Sequence, residues 1–174
     1  AASKEIDHIV PYGAPTAHRV GALFATESMI HDLNAVRGVL GNPSRIVSAH
    51  LWQDGFAQTC IAEFPKDVRA NMTWVSVPGL EHYEETLRFV GPNKRVTLTF
   101  PSPYLRNMPT PLTIERGEGT ALSVEHHTAS FEEAFRAELE HFRQCLLQGT
   151  KPETTVRDGI DDALFIHKIV AAYA

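Results

Sequence analysis

The middle of the chain, from residue 46 to residue 126, constrains the fold most, because it consists of short strand-like segments separated by short turns. Segments 46–52 and 56–64 are rich in β-branched and aromatic residues, and Asp54-Gly55 between them is a hairpin turn signal. Further strands are predicted at 68–77, 83–90, 95–100, 112–116 and 121–126. Strands joined by such short turns pair antiparallel, since parallel pairing needs a long crossover.

Helical patterns lie on both sides of this region. A helix is predicted over 27–40, and Gly41 and Pro43 are expected to end it. Two more are predicted near the end of the chain: one from a capping box at Ser130–Glu133 to Gly149, and one over 158–172. The first of these two carries an apolar stripe of Phe131, Phe135, Leu139, Phe142 and Leu146. A short strand is predicted at 6–12, ended by Pro11 and Gly13.

This order predicts an α+β fold, with a mostly antiparallel open-faced sheet and helices packed on one face. A length of 174 residues fits one core, so a single domain spanning 1–174 is predicted. Because the strand segments contain many apolar residues, we expect the open face to be covered by a second copy or a partner domain.

The composition argues against several classes of protein. A net charge of −5 with scattered Lys and Arg is unlike a nucleic-acid binder. No apolar run reaches the roughly 20 residues that a membrane-spanning helix needs. Cys60 and Cys145 each lie in an apolar stretch, which predicts two buried thiols in a reducing compartment. The first residues lack the apolar segment of a signal peptide and suggest a processed or excised start, so we expect a cytoplasmic protein.

Familiar cofactor and catalytic motifs are absent from the sequence. There is no Gly-x-Gly-x-x-Gly after a strand, no phosphate-binding loop, no Cys-x-x-Cys pair and no His-Glu-x-x-His run. There is also no Gly-x-Ser-x-Gly nucleophile elbow. The sequence therefore predicts no metal site and no cofactor bound to this chain alone.

The predicted helix over 27–40 carries the most suggestive polar cluster. Glu27 and His31 stand one helical turn apart and share a face, and Asn34 follows on nearly the same side. A carboxylate beside an imidazole favours the charged imidazole, which suits a general acid/base near neutral pH. An exposed surface pair is the alternative on spacing alone. His8 and Tyr12 share the parity of the predicted first strand, so they line a site together or are ordinary strand residues.

Two segments resemble the C-terminal domain of the Gfo/Idh/MocA oxidoreductases, a family that includes glucose-fructose oxidoreductase and inositol dehydrogenases. One is similar to the family's helix in which an Asp and a His four residues later face the substrate; it comprises Glu27-Ser28-Met29-Ile30-His31-Asp32-Leu33-Asn34 and Arg37-Gly38-Val39-Leu40-Gly41-Asn42-Pro43. The other is similar to the family's closing pair of helices and comprises Phe131, Glu138, His141-Phe142, Cys145, Gly149, Pro152, Asp158-Gly159 and Asp161-Asp162-Ala163.

The resemblance implies a division of labour between two domains. In the family, an N-terminal Rossmann domain binds NAD or NADP and supplies a catalytic Lys, and the second domain supplies the His, its acidic partner and much of the substrate pocket. It thus implies that His31 is the acid/base and Glu27 its partner. His8, Tyr12 and Asn34 become candidate contacts to a sugar, inositol or related polyol. NAD or NADP would bind the intact protein.

This sequence departs from the family pattern at three positions. Glu27 stands where Asp is usual, Met29 where Gly is common, and Asn34 where Asp is common. The expected partners are a small-molecule substrate and a second copy, in a homodimer or larger oligomer, with no nucleic acid and no membrane. A non-catalytic sugar-binding or dimerisation module is the alternative function, and a metal-dependent hydrolase using scattered His residues is a weaker one.

Overall fold

The computed structural model describes residues 8–80 and 82–173, and the contacts within the chain form two compact units. The first unit combines the described residues up to Pro78 with those from Thr154 onward. The second unit spans Gly79–Glu153. The single domain predicted for 1–174 stays a prediction beside this division.

The first unit opens with a long helical rod. It comprises helix α1 (Thr16–Phe24), a π-helical turn (Ala25–Met29) and helix α2 (Ile30–Leu40). Gly41 ends α2 with a φ of +80°, a backbone conformation that suits a residue without a Cβ, and its N–H donates to the Arg37 carbonyl at 2.8 Å. The sequence predicted α2 correctly but missed the 11 residues before Glu27.

Three strands form the sheet of the first unit. They are β1 (Arg45–Trp52), β2 (Ala57–Phe64) and β3 (Val68–Val75), paired antiparallel in the order β1-β2-β3. Between β1 and β2, Gly55 has a φ of +90°, and a side chain there would collide with the Ala17 carbonyl of α1. The turn after β1 therefore lies directly against the helical rod.

The core of the first unit lies between one face of this sheet and its helices. Helix α4 (Val156–Ala171) contributes Phe165, Ile166 and Ile169, all fully buried, and α2 contributes Leu33. The Phe165 ring meets Phe64 of β2 edge-on, with ring centroids 6.1 Å apart. Alternate β2 residues point into this core, so the pattern of the strand matches a sheet covered on one side.

The opposite face of this sheet is polar at its centre and toward Arg45, whereas Trp52, Ala57 and Val75 form an apolar row at its other end. That a second copy or a partner domain covers this face stays a prediction. Thr59 and Thr73 lie opposite each other with their hydroxyl oxygens 2.9 Å apart. Arg45 and Arg69 both pair with Glu63, and the hydrogen bond from Arg45 is the main cause that lowers the Glu63 pKa. Most of the apolar residues of these strands point toward the core.

The second unit contains four strands and one helix. The strands are β4 (Glu85–Val90), β5 (Lys94–Phe100), β6 (Pro111–Glu118) and β7 (Ala121–Thr128), antiparallel in chain order. Helix α3 (Ala134–Gln148) follows and ends at Gly149 in the left-handed conformation. Its predicted apolar stripe exists, but it is exposed: Leu139 is 71% and Leu146 69% accessible.

The fold class predicted from the sequence is confirmed, with two corrections to the elements. The strands form two antiparallel sheets of three and four strands rather than one sheet. The strand predicted at 6–12 is wrong over its described part, since residues 8–12 form turns, and residues 6 and 7 lie outside the described residues. No helix in the described ranges is long and apolar enough to cross a membrane.

The predicted capping box at Ser130–Glu133 is also wrong. The Ser130 hydroxyl accepts from the Glu132 N–H at 2.8 Å, but α3 begins only at Ala134 and has no side-chain cap. A true capping box starts α4, where Thr155 and Asp158 exchange hydrogen bonds between side chain and backbone. The bonds from Thr155 hold the Asp158 pKa below its ordinary value.

Thr155→Ala is expected to lower the free energy of unfolding by about 1 kcal/mol, because the Asp158 N–H loses its acceptor and Asp158 Oδ2 loses the hydroxyl that donates to it. Ser130→Ala is the matched control, since its hydroxyl caps no helix. Urea denaturation of the two variants measures the difference. Equal losses from both would contradict the assignment of the box to Thr155.

Candidate functional site on the helical rod

The rod that carries Glu27 and His31 is not a regular α-helix. Glu27 lies inside the π turn Ala25–Met29, and His31 is the second residue of α2. Hydrogen bonds in a π turn run i→i+5, so it holds about one more residue than an α turn, and each residue rotates less around the axis. The angle around the rod between Glu27 and His31 therefore differs from that of i,i+4 residues in a regular helix. Such turns are rare in proteins overall, but those that occur are often found at functional sites.

Aromatic and hydroxyl side chains pack around this turn. The Trp74 indole of β3 donates its Nε1–H to the Ser28 Oγ at 2.9 Å. The Phe24 ring, one residue before the turn, stacks on Trp74 with centroids 4.2 Å apart and planes inclined by 26°. Phe56 approaches Phe24 with centroids 5.5 Å apart. The π turn is therefore held against the edge strand of the sheet.

The two predicted acid/base residues are both accessible. Glu27 and His31 are exposed, whereas Met29 between them is buried. Both lie in the described range, and the structure records neither a hydrogen bond nor an ion pair for them. Their catalytic pairing stays a prediction, and both side chains are open to a ligand.

Asn34, predicted beside them, has a partner of its own on another helix. Its Nδ2 donates to Asp162 Oδ2 of α4 at 2.7 Å. Arg37, one turn later, pairs with the other oxygen of Asp162, donates to the Asp158 carbonyl at 3.1 Å and approaches Asp161 at 3.5 Å. Asp162 is only 3% exposed. Asn34 and Arg37 thus tie α2 to α4, and a substrate contact by Asn34 stays a prediction.

The other two predicted substrate contacts do not lie on a strand. His8 and Tyr12 are exposed turn residues, so they do not share a strand face. The structure records no hydrogen bond, ion pair or ring contact of either with Glu27 or His31, all four being described residues. Their role in a pocket stays a prediction.

The buried polar residues of the first unit were not singled out from the sequence. Gln58 is 1% exposed; its Nε2 donates to the Gly21 carbonyl at 3.0 Å, and its Oε1 accepts from the Tyr173 hydroxyl at 2.7 Å. Burial raises the pKa of the neighbouring Cys60 thiol to about 12. That thiol is neutral at physiological pH, so these residues serve packing rather than nucleophilic chemistry.

No metal cluster accompanies the site. Across 8–80 and 82–173, no group of three or more His, Cys, Asp or Glu side chains is placed to hold an ion. Cys60 and Cys145 are both free and buried, as the sequence predicted. Proton transfer by His31 with Glu27 stays a prediction.

Comparison with solved structures shows where this fold occurs. A 3-ketoreductase from Actinomadura kijaniata, KijD10, solved with TDP-benzene and NADP, matches 84% of the chain with a TM-score of 0.62 and 18% identity. An aldose-aldose oxidoreductase from Caulobacter crescentus, solved with glycerol, matches 82% with a TM-score of 0.60 and 22% identity. No family model and no curated protein matches the chain.

The match covers only part of each of these proteins. The chain spans 46% of the ketoreductase and 43% of the aldose-aldose oxidoreductase. Identities below 25% carry the fold and not the residue roles. The chain therefore shares the fold of one part of each of these two longer oxidoreductases, and that part is slightly less than half of their length.

Proposed function

We propose that this chain is the substrate-side part of an NAD(P)-dependent oxidoreductase of the Gfo/Idh/MocA type, acting on a hydroxyl of a sugar, inositol or related polyol. The observation that carries the proposal is the fold shared with a 3-ketoreductase and an aldose-aldose oxidoreductase. The accessible Glu27 and His31 on the π-containing rod support it. The chain by itself is expected to be inactive.

In this proposal His31 moves the proton of the reaction. During oxidation its imidazole accepts the proton of the substrate hydroxyl, and during reduction it returns a proton to the carbonyl oxygen. NAD or NADP, held by the rest of the protein, exchanges the hydride with the substrate carbon. Glu27 orients the imidazole and favours its charged form. The exposure of His31 is what allows it to reach a bound hydroxyl.

The proposed partners are the polyol or sugar substrate and a second copy of the chain. We place the second copy on the polar face of the β1–β3 sheet, where the Thr59 and Thr73 hydroxyls and the Arg45–Glu63–Arg69 charges give complementary groups for a self-association. Sedimentation equilibrium checks this, and a monomer at all concentrations would contradict it. We further propose a cytoplasmic location, consistent with two free buried thiols.

The length and upstream sequence of the open reading frame that encodes the chain test the proposal. A frame that extends upstream by about 120 residues, the size of one further domain, and contains a Gly-x-Gly-x-x-Gly motif supports it. A frame confined to this segment contradicts an oxidoreductase and favours a non-catalytic sugar-binding or dimerisation module.

A further inference from the structure

The π turn changes the hydrogen bonding of the rod, and side chains help to satisfy it. A shift from i→i+4 to i→i+5 bonding disturbs the donors available to the carbonyls of the preceding turn. Two side chains donate to carbonyls there: Thr26 Oγ1 to Ala22 at 2.8 Å, and the buried Gln58 Nε2 to Gly21 at 3.0 Å. The start of the turn is therefore supported from within the rod and from β2.

On the far side of the turn, Ser28 receives a hydrogen bond from another element. Ser28 follows Glu27 directly, and its Oγ accepts from Trp74 Nε1 at 2.9 Å. Trp74 lies on β3, at the edge of the three-stranded sheet, 46 positions away in sequence. Its ring is fixed by stacking on Phe24, so the indole N–H has a defined direction.

We propose that Trp74 is a positioning residue for the Glu27–His31 pair. By holding Ser28 it keeps the π turn in place, and the π turn sets the position of Glu27 around the rod relative to His31. This inference rests on the proposed function, because it assigns a purpose to the relative position of these two residues. Trp74 acts through Ser28 and does not itself contact a substrate.

A purely packing role for Trp74 leads to a different expectation. Packing depends on the ring, which stacks on Phe24, whereas positioning depends on the N–H, which reaches Ser28. Trp74→Phe keeps an aromatic ring and removes the donor. Ser28→Ala removes the acceptor from the other side, and Ser28→Thr restores it.

The test uses NMR of the isotope-labelled chain with two readouts. The first is amide hydrogen exchange of the π turn, Ala25–Met29, and of Ile30. The second is the ring signal of His31 at fixed pH. Trp74→Phe and Ser28→Ala are expected to speed exchange in the turn about tenfold, the effect of one lost hydrogen bond, and to move the His31 signal. Ser28→Thr and Trp52→Phe, a tryptophan change on β1, are expected to leave both readouts as in the unaltered chain.

Each outcome decides between the inference and the proposed function. Unchanged exchange in Trp74→Phe and Ser28→Ala overturns the inference, and so does faster exchange with an unmoved His31 signal. Glu27→Gln supplies the separate control for function. If Glu27→Gln leaves the His31 signal unchanged, the acid/base pairing is wrong. Movement of that signal by Trp74→Phe would still support the positioning role of Trp74.

Discussion

His31→Ala in the oxidoreductase that contains this chain is expected to lower kcat by about 10²- to 10⁴-fold, the usual contribution of a positioned general acid/base. The reason is that no other described side chain on this face of the rod offers an exposed imidazole to the substrate hydroxyl. KM is expected to change much less than kcat, because the proton is moved in the transition state rather than in the bound ground state. Initial rates with NADP⁺ and a polyol, or with NADPH and a keto sugar, measure both.

His167→Ala is the matched control for this prediction. His167 is another exposed helical histidine, on α4, and carries no predicted role. The control variant is expected to retain nearly full activity. A loss of similar size in both variants, or a His31→Ala protein as active as the unaltered one, would remove His31 from the mechanism.

Asp162→Ala is expected to lower the free energy of unfolding by about 3–5 kcal/mol, because it leaves the Arg37 guanidinium buried without its main counter-charge. The Arg37 side chain is 8% and that of Asp162 4% exposed, so water replaces little of what is lost. Asn34 loses its acceptor in the same change. Urea or thermal denaturation of the chain gives the number.

Arg157→Ala provides the comparison for the buried pair. Arg157 approaches Asp161 at 3.4 Å from a side chain that is 76% exposed, so its removal is expected to cost about 0–1 kcal/mol. Replacing the buried pair together, as Arg37→Met with Asp162→Leu, is expected to recover much of the loss. Equal costs for Asp162→Ala and Arg157→Ala would show that the buried network does not stabilise the α2–α4 contact.

The strands could be predicted from the sequence because each is marked by residues that are close together in the chain. The Asp54-Gly55 turn and the alternation of β2 place the antiparallel ladder with few errors. The number of apolar residues in the strands does not tell which face of the sheet each of them occupies. Thr59, Asn71 and Thr73 fall on the uncovered side, and Cys60 and Met72 on the covered side. The predicted start of α3 was too early because Ser130, four residues before Ala134, accepts a hydrogen bond in a turn and not at the start of the helix.

The candidate site could be predicted only in part, because some of its contacts join residues that are far apart in the sequence. The spacing of Glu27 and His31 is a local feature, and the sequence placed both on one helix correctly. The π turn that contains Glu27 receives a hydrogen bond at Ser28 from Trp74, 46 residues away, and Asn34 donates to Asp162, 128 residues away. Helical periodicity contains no information about either contact. The strand predicted for His8 and Tyr12 failed because a short apolar run beside Pro11 and Gly13 also suits a turn.

Turnover by the polypeptide that the complete reading frame encodes is the most direct test of the proposed function. The purified protein is assayed with NADP⁺ and NAD⁺ against a panel of sugars and inositols, and with NADPH and NADH against their keto derivatives, with the present 174-residue chain alongside. We expect cofactor-dependent oxidation or reduction by the encoded polypeptide and none by the chain alone. Sugar binding without any change in the cofactor, or turnover by the chain alone, would contradict it.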